Sequence, residues 1–241
     1  MPILSVAAGL LLALVHLSAH RLRALDGTPR SRWLSAAGGA SVAYVFLHLL
    51  PEIAAAREDL SDLGVLEEEL AWTLALVGLV AFYALEALVR RKRRDADPAM
   101  HAGRATATGA FWLHLGSFAI YNVITGYLLT HGEDRGAVTL GLFTLALGLH
   151  FLVVDYGLRE DQLATWRRLG RWVVTGALLA GLGLGLLTSP PDALVFGLVA
   201  FLGGGIVLNV LKEELPEERG SRITPFVLGA AGYAALLLGS G

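Results

Sequence analysis

One fourteen-residue stretch occurs twice in the chain, as GASVAYVFLHLLPE over 39–52 and as GGIVLNVLKEELPE over 204–217, at an offset of 165. The copies align without a gap and share Gly39/Gly204, Val42/Val207, Val45/Val210, Leu50/Leu215, Pro51/Pro216 and Glu52/Glu217. Each closes a long apolar segment. If the two segments cross a bilayer in opposite directions, the chain is an inverted repeat, the plan on which many secondary transporters build alternating access.

Composition places those segments in lipid. With 55% hydrophobic and 17% charged residues, a mean hydropathy of +0.60 and 29 glycines in 241 residues, the chain is too apolar for an ordinary soluble domain of this length. It has no cysteine, which excludes disulfides, thiolate ligands and a cysteine nucleophile, so a bound metal would need His, carboxylate, amide or hydroxyl ligands. Met1-Pro2 leads directly into an apolar run with no basic leader or small-residue cleavage site, so the start of the chain reads as a retained span and not a cleavable signal.

A spanning helix needs roughly 20 mostly apolar residues. Eight runs meet that need, at about 2–20, 34–56, 70–90, 107–131, 136–158, 170–188, 192–212 and 222–240. The predicted fold is therefore an all-α polytopic membrane protein, a single transmembrane domain with no room between spans for a soluble one. Lys and Arg collect on the cytoplasmic side. Here 17 of the 19 fall in the loops after spans 1, 3, 5 and 7, and the other side holds only Arg57 and Arg135 among acidic stretches. Both termini are thus expected outside an inner or plasma membrane, with spans 2 and 7 running in opposite directions. Trp33, Trp112, Trp166 and Trp172 near inner ends and Trp72 near an outer end read as interfacial anchors. The glycines of 176–187 and 201–205 read as sites of close helix approach.

Ionisable and strongly polar groups inside hydrocarbon are expensive unless paired or facing water, so each is a site candidate. Span 4 places His114, Ser117, Tyr121 and Thr125 on one face, with Asn122 beside Tyr121; span 5 carries His150 and Asp155. Imidazole, carboxylate and amide oxygen suit zinc and similar cations. His114, Asn122, Thr125, His150 and Asp155 could therefore hold a divalent ion between spans 4 and 5. The plainer reading of each is an interhelical hydrogen bond or a packing residue. His48 and Glu52 share a face at one end of span 2, and Glu213 and Glu217 hold the matching positions in span 7, one turn after Asn209. These residues read equally as entry and exit ligands on a transport path and as polar boundaries where proline ends a helix. His16 and His20 lie beside Arg21 and Arg23 and read as boundary residues, and Glu86 is spaced to pair with Arg90.

The eight runs, the LHLLPE and ELPE segments in spans 2 and 7, and the polar residues of spans 4 and 5 together resemble the ZIP (Zrt/Irt-like) family of divalent metal transporters. That resemblance implies a 3+2+3 arrangement, with spans 1–3 and 6–8 as inverted repeats, and a metal site between spans 4 and 5. The family patterns are His-Asn-x-x-(Asp/Glu)-Gly and His-Glu-x-x-(His/Glu); the matching stretches here are Tyr121-Asn122-Val123-Ile124-Thr125-Gly126 and His150-Phe151-Leu152-Val153-Val154-Asp155. Asn122 and His150 keep the family's ligands. Tyr121, Thr125, Phe151 and Val154 replace them, and Asp155 stands one residue past the acidic position.

The resemblance implies alternating-access transport of zinc or another divalent cation, as substrate, through a depleted site. Two alternatives are a ZIP-like scaffold for a non-metal solute or a non-transporting sensor, and a membrane-embedded zinc hydrolase built on His48, His114, His150 and Asp155. No GxSxG, P-loop, GxGxxG or HExxH pattern occurs, so no familiar signature marks an enzyme. The expected partners are the lipid bilayer and a metal ion or small solute, not nucleic acid; a homodimer is left open. The orientation predicts that cysteines placed at Ser61 and Gly132 are labelled by an impermeant external reagent and that those at Ala102 and Ser221 are protected, and the opposite labelling would reverse the topology.

Overall fold

The computed structural model describes residues 2–19, 32–54, 67–94, 101–131, 136–214 and 222–239. Among them are eight helices and no strand: α1 (Pro2–Ser18), α2 (Arg32–Ala54), α3 (Glu67–Arg94), α4 (His101–Leu128), α5 (Ala137–Asp161), α6 (Leu163–Leu187), α7 (Asp192–Glu214) and α8 (Ile223–Leu238). Segments of α2, α3, α5, α6 and α7 are long and apolar enough to cross a membrane; α1 and α8 are shorter apolar helices. The polar residues of α4 keep it out of that set. Two helices contain a π turn, at Val45–Leu49 in α2 and Trp166–Gly170 in α6.

Several helices outrun their apolar stretches. α3 continues through Arg90–Arg94, α4 begins at His101, and α5 and α6 are separated by Gln162 alone. Apolar length measures the thickness of hydrocarbon, whereas backbone hydrogen bonding carries a helix on through charged turns. Gln162 satisfies both helix ends, its N–H donating to Leu158 O and its carbonyl accepting from Trp166 N at 2.9 Å.

The surface has the polarity of a protein in lipid. Leu76, Val80, Tyr83, Leu187 and Leu228 are exposed, whereas His16, Asn122, Thr125 and Asp155 are buried. An exposed apolar surface this extensive marks a membrane environment. Within the lipid-like window of each helix, only 11% of α3 is buried against 56% of α2, which puts α3 at the periphery and α2 inside. Trp33, Trp72, Trp112 and Trp172 are exposed as interfacial anchors would be. Trp166 is not: it lies in the π turn of α6, is fully buried and packs on Gly170.

Three helix pairs meet backbone to backbone. Gly39 and Gly229 join α2 to α8, Gly78 and Gly204 join α3 to α7, and Gly126 and Gly181 join α4 to α6; a Cβ at any of the six would lie under 3.0 Å from the partner's backbone. Apolar side chains gain little by leaving lipid for one another, so close packing at small residues has to hold such pairs. Each pair runs parallel. Ser35 and Tyr44 meet Arg222 and Tyr233, Leu74 and Phe82 meet Gly197 and Gly205, and Val123 and His131 meet Gly181 and Thr188.

The remaining contacts fix the other directions. α1 runs parallel to α5, with Leu12 at Gly148 and His16 at Asp155, and antiparallel to α4, with Gly9 at Leu129 and His16 at Asn122. α2 is antiparallel to α5, pairing Tyr44 with Phe143 and Leu34 with Tyr156. α3 is antiparallel to α4, with Phe82 at Tyr121 and with Val89 and His114 lining one cavity. Followed from helix to helix, these contacts set α2 and α7 in opposite directions.

The crossings predict that Gly78→Ala, Gly126→Ala and Gly229→Ala each destabilise the protein by about 1–3 kcal/mol through overpacking. Gly116 and Gly183 have nothing within 4 Å of an added Cβ, so alanine there is neutral or stabilising by up to about 1 kcal/mol. Thermal unfolding in one detergent compares the five variants.

Candidate functional site

A fully buried polar network joins α1, α4 and α5. His16 Nδ1 lies 2.8 and 3.1 Å from the two carboxyl oxygens of Asp155, and His16 Nε2 lies 2.8 Å from Asn122 Oδ1. The Asn122 amide donates from Nδ2 to Phe118 O at 2.9 Å, which leaves its oxygen to face the imidazole. Asn122 Oδ1 can only accept, so Nε2 carries a proton and donates it. A second proton lies between Nδ1 and the carboxyl group. His16, Asn122 and Asp155 are each 0% exposed.

Aromatic rings enclose the network. Phe151 stacks on His16 at 4.6 Å and 22°, and Phe118 meets it edge-on at 5.8 Å and 83°. Tyr121 packs on Phe118 and Phe151 at 5.8 and 5.9 Å, and His150 lies behind it at 5.9 Å. Asn122 therefore finds its polar partner in His16 and not in His150. Phe151, which stands where the resemblance would place a ligand, supplies a wall.

His16 overturns its reading as a boundary residue. On α1 the buried positions are Ser5, Ala8, Gly9, Leu12, Ala13 and His16, a stripe at helical spacing that ends on the imidazole. That stripe is the sequence signal for the site. Closeness to Arg21 and Arg23 measures depth along the helix, but the face a residue occupies decides whether it meets protein.

The other candidates divide between two small cavities. Thr125 and Glu52 line one of about 20 Å³ together with Tyr44, Phe143 and Leu147. Next to it, His48 Nε2 is 3.9 Å from Glu52 Oε2. His114 and Asn209 line a second of about 30 Å³ with Glu86, Ser117 and Phe118. Glu217 and the side chain of Glu213 lie outside the described residues, as do His20 and the side chain of Arg90. The four residues of the hydrolase alternative face different neighbours: Asp155 faces His16, His48 faces Glu52, His114 lines the second cavity and His150 sits behind Tyr121.

Among the described residues, no three His, Asp or Glu side chains form a group able to hold a metal. Asp155, His16 and Asn122 are chemically suitable ligands, but each already satisfies another. A cation can enter only by parting His16 from Asp155. No protein-family model matches the chain, and no curated protein matches its sequence.

Removing one member of a buried charged or proton-sharing pair leaves the other desolvated and unmatched, at a cost of about 3–5 kcal/mol. His16→Leu and Asp155→Leu should each lower the thermal midpoint sharply, and the double variant should recover part of the loss. Strictly additive effects in this double-mutant cycle would show that the two groups are not coupled.

Proposed function

We propose that the chain is a ZIP-like membrane transporter, built as an inverted repeat, that moves a divalent cation such as zinc through the α1/α4/α5 junction. The observation that carries this reading is the polar network of His16, Asn122 and Asp155, enclosed where helices meet, because intramembrane ionisable groups characteristically line ion paths. The two copies of the sequence repeat support the symmetry. α2 and α7 run in opposite directions, and the equivalent residues Gly39 and Gly204 play the same part, Gly39 against the backbone of α8 and Gly204 against that of α3. An inverted 3+2+3 repeat exchanges these two crossings.

In this reading a cation would part His16 from Asp155 and take the carboxylate, with Asn122 Oδ1 and an imidazole nitrogen as further ligands. On this reading the cavities at Thr125/Glu52 and at His114/Asn209 would serve as the two approaches to the site.

The stacking of Phe151 on His16 favours a second reading, a non-metal solute carried by the same scaffold, because a ring where a metal ligand would stand suits an organic cation better than a small ion. Zinc uptake into proteoliposomes separates the two. The metal reading predicts uptake by the wild type, at least tenfold slower uptake by Asp155→Asn, and a clear loss in His16→Gln. Absence of zinc, manganese, iron and cobalt uptake by folded wild-type protein would remove the metal reading and leave the second.

A further inference from the structure

The cavity where α3, α4, α5 and α7 meet lies beside the enclosed network and contains none of its three polar residues. Its wall carries four polar side chains, Glu86, His114, Ser117 and Asn209, among Phe82, Leu85, Val89, Phe118 and Val154. At about 30 Å³ it holds a single water or ion. Glu86 lies four residues before Arg90 on α3, which sets the cavity toward the Arg-rich end of that helix, about 6 Å deeper by helical rise. Glu86 shares this wall with an imidazole and an amide from two other helices; the side chain of Arg90, to which its spacing also fits it, lies outside the described residues. Ser117 Oγ donates to His114 O at 2.8 Å, a bond that leaves the hydroxyl oxygen able to accept.

We propose that this cavity is a divalent-cation site in which Glu86 supplies the negative ligand, His114 an imidazole nitrogen and Asn209 an amide oxygen. One carboxylate, one imidazole and neutral oxygens suit borderline first-row divalent ions such as zinc and cobalt. Phe118 ties the site to the junction, since the ring that lines this cavity also packs edge-on against His16 at 5.8 Å. The sequence repeat gives it a counterpart, because Asn209 corresponds to Tyr44 at the offset of 165, and Tyr44 lines the cavity that holds Glu52 and Thr125. The site goes beyond the transport reading, for an ion can bind here whether or not it crosses the membrane.

Cobalt(II) titration of the purified full chain in detergent, followed by its visible absorption, tests the site. Glu86→Gln and His114→Gln should each weaken cobalt binding at least tenfold, and the His114 variant should also change the band shape as a nitrogen ligand is lost. Asn209→Asp adds a carboxylate to the same wall with little change of shape and should tighten binding about tenfold, a gain that misfolding cannot produce. Unchanged affinity in folded Glu86→Gln and His114→Gln, or no gain in Asn209→Asp, overturns the proposal. Zinc uptake is read separately: uptake absent while these cobalt effects are present sinks the transport reading and leaves the site, and uptake present without them sinks the site alone.

Discussion

Apolar side chains gain almost nothing by moving from lipid tails onto each other, so helices in this chain are held where small residues let backbones touch or where polar groups meet. Six glycines supply the first kind of contact, clamping α2 to α8, α3 to α7 and α4 to α6. α1 has no such clamp. Its Leu12 and Val15 meet Gly148 of α5 in ordinary van der Waals packing at 3.7 Å, and an apolar groove of about 550 Å³ runs between the two helices past Ala8, Leu12, Gly141 and Gly148. The end of α1 is tied in by His16 instead, through Asp155 on α5 and Asn122 on α4. The polar network is therefore both the candidate site and the fastening of the first helix, and a change at one is felt at the other.

This arrangement gives the proposed alternation a physical form. Backbone crossings at glycine are stiff, because neither helix can shift without losing close contact along its whole face. A hydrogen-bonded pair can open when a cation replaces one partner. α1 faces α5 across a groove and across His16–Asp155, so under the proposed function that boundary is the one a bound ion would loosen, while the glycine-clamped pairs would move as bodies. Under the proposed inverted repeat, the crossings of α2 with α8 and of α3 with α7 would be equivalent.

The helices were legible in the sequence because eight apolar runs separated by charged clusters leave few alternatives, and the close approach of Gly181 and Gly204 followed from their glycine-rich surroundings. Helix ends were not, because hydropathy falls off at Arg90, Arg159 and Arg171 while backbone hydrogen bonds continue through them. At the site, Asn122 and Asp155 could be picked out as costly polar groups in apolar runs, but the residue that joins them could not be picked by depth. His16 belongs to a stripe of small residues, and only the packing of α1 between α4 and α5 reveals what the stripe faces. Glu86 shows the same thing from the other side: its spacing to Arg90 carries no information on the cavity wall it shares with His114 and Asn209. Local patterns register what lies along one helix, and both of these sites are made across three.

Under the proposed function the His16–Asp155 contact marks a place a cation can occupy. Crystals of the protein soaked with zinc, with anomalous differences recorded at the zinc edge, are expected to show a peak bounded by Asp155, Asn122 and His16, with the imidazole displaced from the carboxylate. Zinc peaks confined to other histidines, with His16 still hydrogen-bonded to Asp155, would contradict it.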